Sequence, residues 1–313
     1  MKKILIYEYF TGGGLINEEL CSSSLLSEAK AIINSIINEY SKSRKYQVYY
    51  FIDHRLELDN FGQPIIVRNL KQLYDIKLLK SFDLILPVLP EQNMELYAYS
   101  KFLSQEKIKM LLSSPETIKL LSDKYKFSTF CEKTDIPSIP SYLSNQINFI
   151  SNKIIIEKHR YGIGCSHVKK IAKHHVIDSK KMIYQPYIKG DDYSLCVYFT
   201  KTKFKLLTLN EQDIIVKKNN LRLRSLKVNI KNNYFLDIYI LIKKIHNNLP
   251  GLYGYIGIDI IITGKGILVV EINPRLTTSF TGISSTLGIN LSQINKFMES
   301  MYINPRSRRI HLS

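Results

Sequence analysis

A chain of 313 residues, 45% of them hydrophobic, can support two or three compact units with proper cores and has the composition of a globular protein. It contains no run of about 18 uncharged apolar residues, which argues against a membrane-spanning helix, and its cysteines (Cys21, Cys131, Cys165, Cys196) form no CxxC pair, which predicts reduced thiols and a cytoplasmic location. A net charge of +17 admits an anionic small substrate, an anionic membrane surface or nucleic acid, but the lysines are spread along the chain and no basic run carries the interleaved aromatics of a single-strand binder, so no nucleic acid is expected as primary partner.

The opening MKKILIYEYF reads as a strand rather than a signal segment, because Glu8 interrupts the apolar run. LLSEAKAIINSIINEYSK follows as an amphipathic helix and YQVYYFID as a second strand. A helix around Lys71 to Lys80 and the strand FDLILPVLP complete a βαβαβ order. That order predicts a parallel sheet with flanking helices, with ligands at the C-terminal ends of the strands. The candidates there are Glu8 with the Thr11-Gly12-Gly13-Gly14 loop, Asp53 with Arg55, and Glu91. A helical region from Glu95 to Glu132 includes Ser114-Pro115-Glu116 as a helix start, and Ile136 to Pro140 then breaks the pattern. From Lys153 onward the signals are mostly strand, with helices at Asn233 to Asn247 and near the C-terminus.

Several segments carry chemistry. The strand KIIIEK runs into HRYGIGCS, so Lys158 precedes Gly162 and Gly164; glycines let backbone approach a phosphate, and lysine supplies a point charge for it. A plain glycine-rich hairpin is the alternative. Neither this segment nor GGGL near the N-terminus has P-loop or dinucleotide-fold spacing. In MIYQPYIKGDDYS a strand end becomes a linker at Pro186; Gln185 and the backbone near Ile188 suit an adenine edge, and Asp192 suits ribose hydroxyls, against the alternative of a surface hairpin turning at Gly190. His174-His175 on a strand point to opposite faces and predict a solvated hairpin rather than a metal site. Cys165 beside the glycine loop reads as a small filler in a tight turn.

The segment GYIGIDIIITGKGILVVEINPR places Asp259, Glu271 and Asn273 inside apolar strand sequence. With a three-residue loop, Gly264-Lys265-Gly266, Thr263 pairs with Ile267 and Asp259 lies opposite Glu271, with Asn273 on the same face. A two-residue loop puts the two carboxylates on opposite faces. Opposed acids roughly 5 Å apart call for a cation between them, and hard oxygen ligands suit Mg²⁺, with Mn²⁺ as an alternative. Two solvated acids on an exposed face are the competing reading, against which the surrounding Ile/Val run argues.

In order, Asp123-Lys124, Lys158-x-x-x-Gly-x-Gly, Gln185…Gly190-x-Asp192 and Asp259…Glu271-x-Asn273-Pro274-Arg275 resemble the ATP-grasp carboxylate–amine ligases over about Ser113 to Ile303. The strings EYFTGGGL, DLILPVLPE, SSPETIKLLSDKY, LTLNEQ and EINPRLTTS are similar to the branch that holds the tyramine–glutamate ligases of methanofuran biosynthesis and their bacterial relatives. The resemblance implies an α/β ATP-grasp fold: a parallel α/β unit over 1–112, a small α+β lobe over 113–188 and a large lobe over 189–313, clamping ATP. It implies that Lys124 and Lys158 contact ATP phosphates under the Gly162–Gly164 loop. Gln185 and Ile188 would hold adenine, Asp192 ribose, and Asp259, Glu271 and Asn273 magnesium; Arg275 would face the transferred phosphate or activated carboxylate. The family's usual Lys-Pro pair reads Lys158-His159 here. The implied substrates are small molecules, an amino acid and an amine, for which Glu8, Thr11, Gly12, Gly13 and Arg55 at the strand ends are the candidate contacts. A homo-oligomer stays open, as do an amino-acid or dipeptide ligase with another substrate pair and a basic nucleic-acid-binding protein on a ligase-like fold.

Overall fold

The computed structural model describes residues 1–164, 168–231, 233–294, 298 and 307–311. The expected first unit is a four-stranded parallel sheet in the order β3-β2-β1-β4, from β1 (Lys2–Glu8), β2 (Tyr46–Asp53), β3 (Gln63–Val67) and β4 (Leu84–Val88). Alternate residues of β1 enter different cores: Ile4 and Ile6 pack with Ile32, Ile33, Ile36 and Ile37 of α1 (Ser23–Ser41). Leu5 and Tyr7 pack with Leu96, Tyr99 and Leu103 of α3 (Glu95–Gln105). A sheet covered on both faces needs the near-continuous apolar strands found here.

Two details depart from the sequence expectation. Strand β3, QPIIV, was not foreseen; it is short, carries a proline and lies at the sheet edge, where a missing N–H is tolerated. The expected helix around Lys71 to Lys80 is instead a 3-10 turn (Leu70–Tyr74) and a short α2 (Ile76–Lys80), separated by Asp75, whose carboxylate caps α2 by accepting from the Leu78 amide at 3.0 Å. Ser114 caps α4 (Pro115–Ser122) with Pro115 in the first turn, as the sequence indicates, and α5 (Lys124–Lys133) follows at once.

The second sheet is antiparallel, in the order β12-β11-β8-β9-β10-β6-β5-β7, with β13 also on β10. Its strands are β5 (Ile154–His159), β6 (Lys169–Ala172), β7 (Met182–Pro186), β8 (Asp191–Phe199), β9 (Phe204–Lys217), β10 (Asn220–Val228), β11 (Gly254–Thr263), β12 (Gly266–Asn273) and β13 (Arg308–His311). The basic tail thus contributes a strand from Arg308; Arg306 and Cys165 lie outside the described residues. His174 and His175 are exposed as expected, yet they sit in a 3-10 turn with ring centroids 4.2 Å apart rather than on opposite strand faces. No described helix is long and apolar enough to cross a membrane.

One face of this sheet packs Leu195, Val197, Ile258, Ile260, Val269 and Ile272 against Ile238, Leu241, Ile242 and Ile245 of α6 (Phe235–Asn248). On the other, Cys196, Tyr198 and Tyr255 meet Phe280 and Ile283 of α7 (Phe280–Leu287) and join the α1 core of the parallel sheet. A continuous apolar cluster therefore fixes the N-terminal unit against the antiparallel sheet. The Pro-rich break covers the outer edge of β12: the Val269 amide donates to the Pro137 carbonyl (2.8 Å) and the Ile139 amide to the Val269 carbonyl (3.0 Å).

In the loop after β1, Gly13 has φ +93°, and a Cβ there would stand 2.7 Å from the Val67 side chain. Gly13→Ala should cost about 1–3 kcal/mol from backbone strain and overlap. Urea unfolding should show a lowered midpoint, and a loss below about 0.5 kcal/mol contradicts the assignment.

Candidate active site

The β11–β12 hairpin pairs Asp259 with Glu271 as expected, but by a different route. Thr263 pairs with Gly266 across a two-residue turn, Gly264-Lys265, rather than with Ile267 across three. The ladder then slips between Ile260↔Val269 and Asp259↔Glu271, leaving Val270 as the extra residue of a bulge. The bulge restores the parity that the shorter turn would have lost. Register then carries the row across four strands, Glu271↔Asp259↔Ser194↔Asn210. Asn273 and Asp192 lie two residues along on the same face, beside the core shared with α7.

The row is held by side-chain hydrogen bonds. Asn273 Nδ2 donates to Asp259 Oδ2 at 3.0 Å, and Gln212 Nε2 donates to Asp259 Oδ1 at 3.0 Å. Asn210 Nδ2 donates to Ser194 Oγ at 3.3 Å. Burial and the facing Glu271 carboxylate push Asp259 well up from the usual range. Burial also raises Glu271, but Lys124 and Lys158 reverse this and hold it well down. Two half-buried carboxylates flanked by side-chain amides make a hard, oxygen-rich donor set that fits a divalent cation such as Mg²⁺. Gln212 was not singled out from sequence; its role depends on β9 lying two strands from β11.

Lys124 ties three segments together. Its ammonium pairs with Glu271 Oε2 at 2.9 Å and donates to the Gly162 carbonyl at 2.8 Å. The α5 N-cap, Asp123, accepts from the amides of Tyr125 and Lys126, both at 3.2 Å. It also grips the glycine loop: Arg160 Nε and Nη2 donate to its two oxygens at 2.7 and 2.8 Å, and Tyr161 Oη donates at 3.1 Å. Gly162 makes the turn and Gly164 has φ +50°. Lys158 is buried on β5, and register places it with Ile156 and Gln185 on one face of the β5–β7 pair. Gln185 Nε2 donates to the Ser141 hydroxyl (2.9 Å) and the Ile139 carbonyl (3.2 Å), which fixes its amide plane. Ile188 is half-buried in the following linker. Burial, with Asp191 beside it, pushes Asp192 up to about 6. A cavity of about 580 Å³ opens where β8 and β9 part, lined among others by Asp192, Gln212 and Lys227.

The N-terminal candidates divide by what they touch. Glu8 is buried; its Oε2 accepts from the Thr11 amide and hydroxyl, both at 2.7 Å, and burial nevertheless raises its carboxyl. Gly12 and Gly13 complete a tight loop, in which a Cβ on Gly12 would lie 2.5 Å from the Glu8 carbonyl oxygen. The Arg55 guanidinium is bound by Asp53 (2.9 and 2.6 Å) and by the carbonyls of Glu18 and Leu15 (both 2.7 Å), so it braces the loop that follows β1. Arg275 is likewise paired, with Glu91 of the N-terminal unit, at 3.0–3.1 Å.

An antiparallel sheet presenting lysines, an amide and two carboxylates on facing surfaces has a counterpart among known proteins. Residues 121–279 match the ATP-grasp domain family. The chain belongs to that family. Two curated relatives, the tyramine–L-glutamate ligases of Methanocaldococcus fervens and Methanocaldococcus jannaschii, are each 27% identical to it over 288 and 290 residues, 90% of this chain and 89% and 85% of theirs. Among solved structures, an Archaeoglobus fulgidus protein assigned to the ATP-grasp superfamily superposes with a TM-score of 0.77 at 22% identity, covering 99% of this chain and 92% of that one. The L-amino acid ligase of Bacillus licheniformis superposes at 0.66 and 12% identity, covering 99% and 79%. The architecture is therefore the ATP-grasp fold expected from the ordered motifs.

The Asp123–Arg160 pair yields a pH prediction. Burial raises the Asp123 carboxyl, but Arg160 and the Lys126 amide outweigh it and hold it below its ordinary 3.8. A depressed folded-state pKa gives stability that is complete above the unfolded value and lost as pH falls through the folded one. Asp123→Asn should therefore cost about 3 kcal/mol at pH 7, with the difference from wild type shrinking below about pH 4. Unfolding curves from pH 7 to 3 check this, and a pH-independent difference contradicts it.

Proposed function

We propose that this ATP-grasp protein is an ATP-dependent amide-forming ligase, with residues 1–112 as its substrate-side unit and 113–188 and 189–313 as the two nucleotide lobes. The observation that carries the reading is the half-buried Asp259–Glu271 pair, with Lys124 and Lys158 gathered around it on the surface that faces the glycine loop. In this reading Lys124 and Lys158 hold ATP phosphates, the Gly162–Gly164 loop covers them, and Gln185, Ile188 and Asp192 seat adenosine. Asp259, Glu271 and Asn273 would hold Mg²⁺, which supplies charge neutralisation on the phosphates.

The chemistry needs alignment and charge rather than a nucleophilic side chain. A carboxylate oxygen of the acid attacks the γ-phosphorus, the bond to ADP breaks, and an acyl phosphate forms. The amine then attacks the acyl carbon, phosphate leaves with the C–O bonding pair, and the amine's extra proton passes to solvent. Arg275 would balance negative charge on the transferred group. The two 27%-identical relatives support L-glutamate as the acid and tyramine as the amine, and we take the γ-carboxyl as the one activated.

With Mg·ATP, L-glutamate and tyramine, the protein should release ADP and phosphate and form γ-glutamyltyramide, with linkage assigned by fragment masses. Only the neutral amine has a lone pair to attack, so the rate should rise as pH approaches the amine's pKa. Turnover with a dipeptide-forming pair and none with tyramine discards the substrate assignment and leaves the ligase standing. No ADP release across a panel of acids crossed with amines discards the ligase.

A further inference from the structure

Arg275 follows the Asp259/Glu271/Asn273 hairpin directly, so β12 delivers its guanidinium to the edge of the carboxylate row. What holds it there comes from the other unit, 184 residues away in sequence. Arg275 Nε donates to both oxygens of Glu91 at 3.1 Å and Nη2 donates to Oε2 at 3.0 Å, while Nη1 donates to the Leu276 carbonyl at 3.2 Å. The pair is nearly enclosed, with side-chain exposures of 16% for Arg275 and 6% for Glu91. Glu28 on α1 and Glu271 add to the negative surroundings of the guanidinium, and Glu8 lies within electrostatic reach of it.

Two observations set this pair apart from an ordinary interface salt bridge. A guanidinium has five donors in a fixed fork, and Glu91 occupies the side edge formed by Nε and Nη2. The Leu276 carbonyl uses one Nη1 donor, so one hydrogen is left on each of Nη1 and Nη2, and the one on Nη2 lies on the end edge. Second, the loop carrying Glu91 is strained: Asn93 (φ +52°) and Met94 (φ +63°) are consecutive left-handed residues, neither of them glycine. Strain of this kind persists only where the surroundings over-determine it, and it collects at functional sites. Stability is a poor account of the pair, since a buried ion pair is often no better than well-packed apolar groups.

We infer that Glu91 is a positioning residue: from the N-terminal unit it grips the side edge of Arg275 and aims its end edge at the oxygens of the phosphoryl group in transfer. The inference deepens the proposed function and rests on its placing of Arg275 beside that group. It makes alignment of the phosphate-facing arginine conditional on the docked N-terminal unit, which supplies the loop after β1 as the substrate wall. Glutamine at 91 keeps the shape and one acceptor but loses the charge and the two-oxygen grip; aspartate keeps the charge at shorter reach.

The test compares wild type with Glu91→Gln, Glu91→Asp, Arg275→Lys and the double variant Glu91→Gln/Arg275→Lys. Glu91→Gln should lower kcat by about ten-fold or more while Mg·ATP affinity stays within about two-fold, and Glu91→Asp should recover part of the loss. In the Arg275→Lys background the same Glu91→Gln change should cost less than about two-fold, because its route of action is already gone. Additive losses overturn the inference, as does a fall in Mg·ATP affinity matching the fall in kcat. A second arm needs neither acid nor amine: calorimetry of Mg·ADP with and without aluminium fluoride, a mimic of the phosphoryl group in transfer. Wild type should bind more tightly with the fluoride, and Glu91→Gln should erase the gain. If that holds while no acid–amine pair is turned over, the ligase reading falls and the positioning role stands. A gain that survives Glu91→Gln, or is absent from wild type, overturns the positioning role whatever the substrates prove to be.

Discussion

The half-buried pair of opposed carboxylates, Asp259 and Glu271, is the constraint on which the rest of this structure depends. Like charges facing each other across strands are unfavourable, and burial makes them more so. The neighbouring groups answer that cost one by one: Lys124 against Glu271, and the amides of Asn273 and Gln212 against the two oxygens of Asp259. Because Lys124 also holds the Gly162 carbonyl, the electrostatic compensation of the carboxylate row links the glycine loop, helix α5 and strand β12. The opposite face of the same strands is packed against α6 by Ile258, Ile260, Val269 and Ile272, so a one-residue shift that is not offset by the bulge would turn these side chains out of the core.

A second constraint is the joint between the units. The apolar cluster running from β1 and α1 to α7 sets their relative position, and directional contacts add to it: Glu91–Arg275, the Leu291 amide donating to Glu39 at 3.1 Å, and the Thr278 hydroxyl donating to Glu28. Arg55 and Asp53 brace the loop that follows β1, so that Glu8, Thr11 and the glycines keep a fixed shape at the sheet's C-terminal edge. The lysines on β5 and α5 and the row on β8, β9, β11 and β12 thus face a surface organised from three directions. That arrangement is what phosphoryl transfer asks of a protein, since positioning and charge do most of the work.

Much of this was legible in the residues, for identifiable reasons. Periodicity gave the parallel unit and α1, and the ordered motifs gave the fold, because glycines, lysines and acids in strand sequence have few bland explanations. The Asp259–Glu271 pairing followed from strand parity, although through the wrong loop length. A two-residue turn and a bulge at Val270 sum to the same face as a three-residue turn, and a bulge leaves no local signal in ILVVEIN. Strand β3 escaped because an exposed edge strand with a proline has little apolar pattern. The partners of Arg55, Arg275 and Asp259 were out of reach for another reason: a side chain's charge is visible in a sequence, but whether a distant residue already occupies it depends on tertiary contacts such as that of Glu91.

The claim at the centre, that the opposed carboxylates form the metal and phosphate end of a nucleotide site, is tested most directly by calorimetric titration of ATP into wild type and Glu271→Gln, each with excess Mg²⁺ and with a chelator. Wild type should bind Mg·ATP at least about ten-fold more tightly than metal-free ATP, a difference of about 1.4 kcal/mol, and Glu271→Gln should lose that margin while its circular dichroism spectrum stays unchanged. Equal Mg·ATP affinities in the two proteins, or no Mg²⁺ dependence in wild type, would contradict the account.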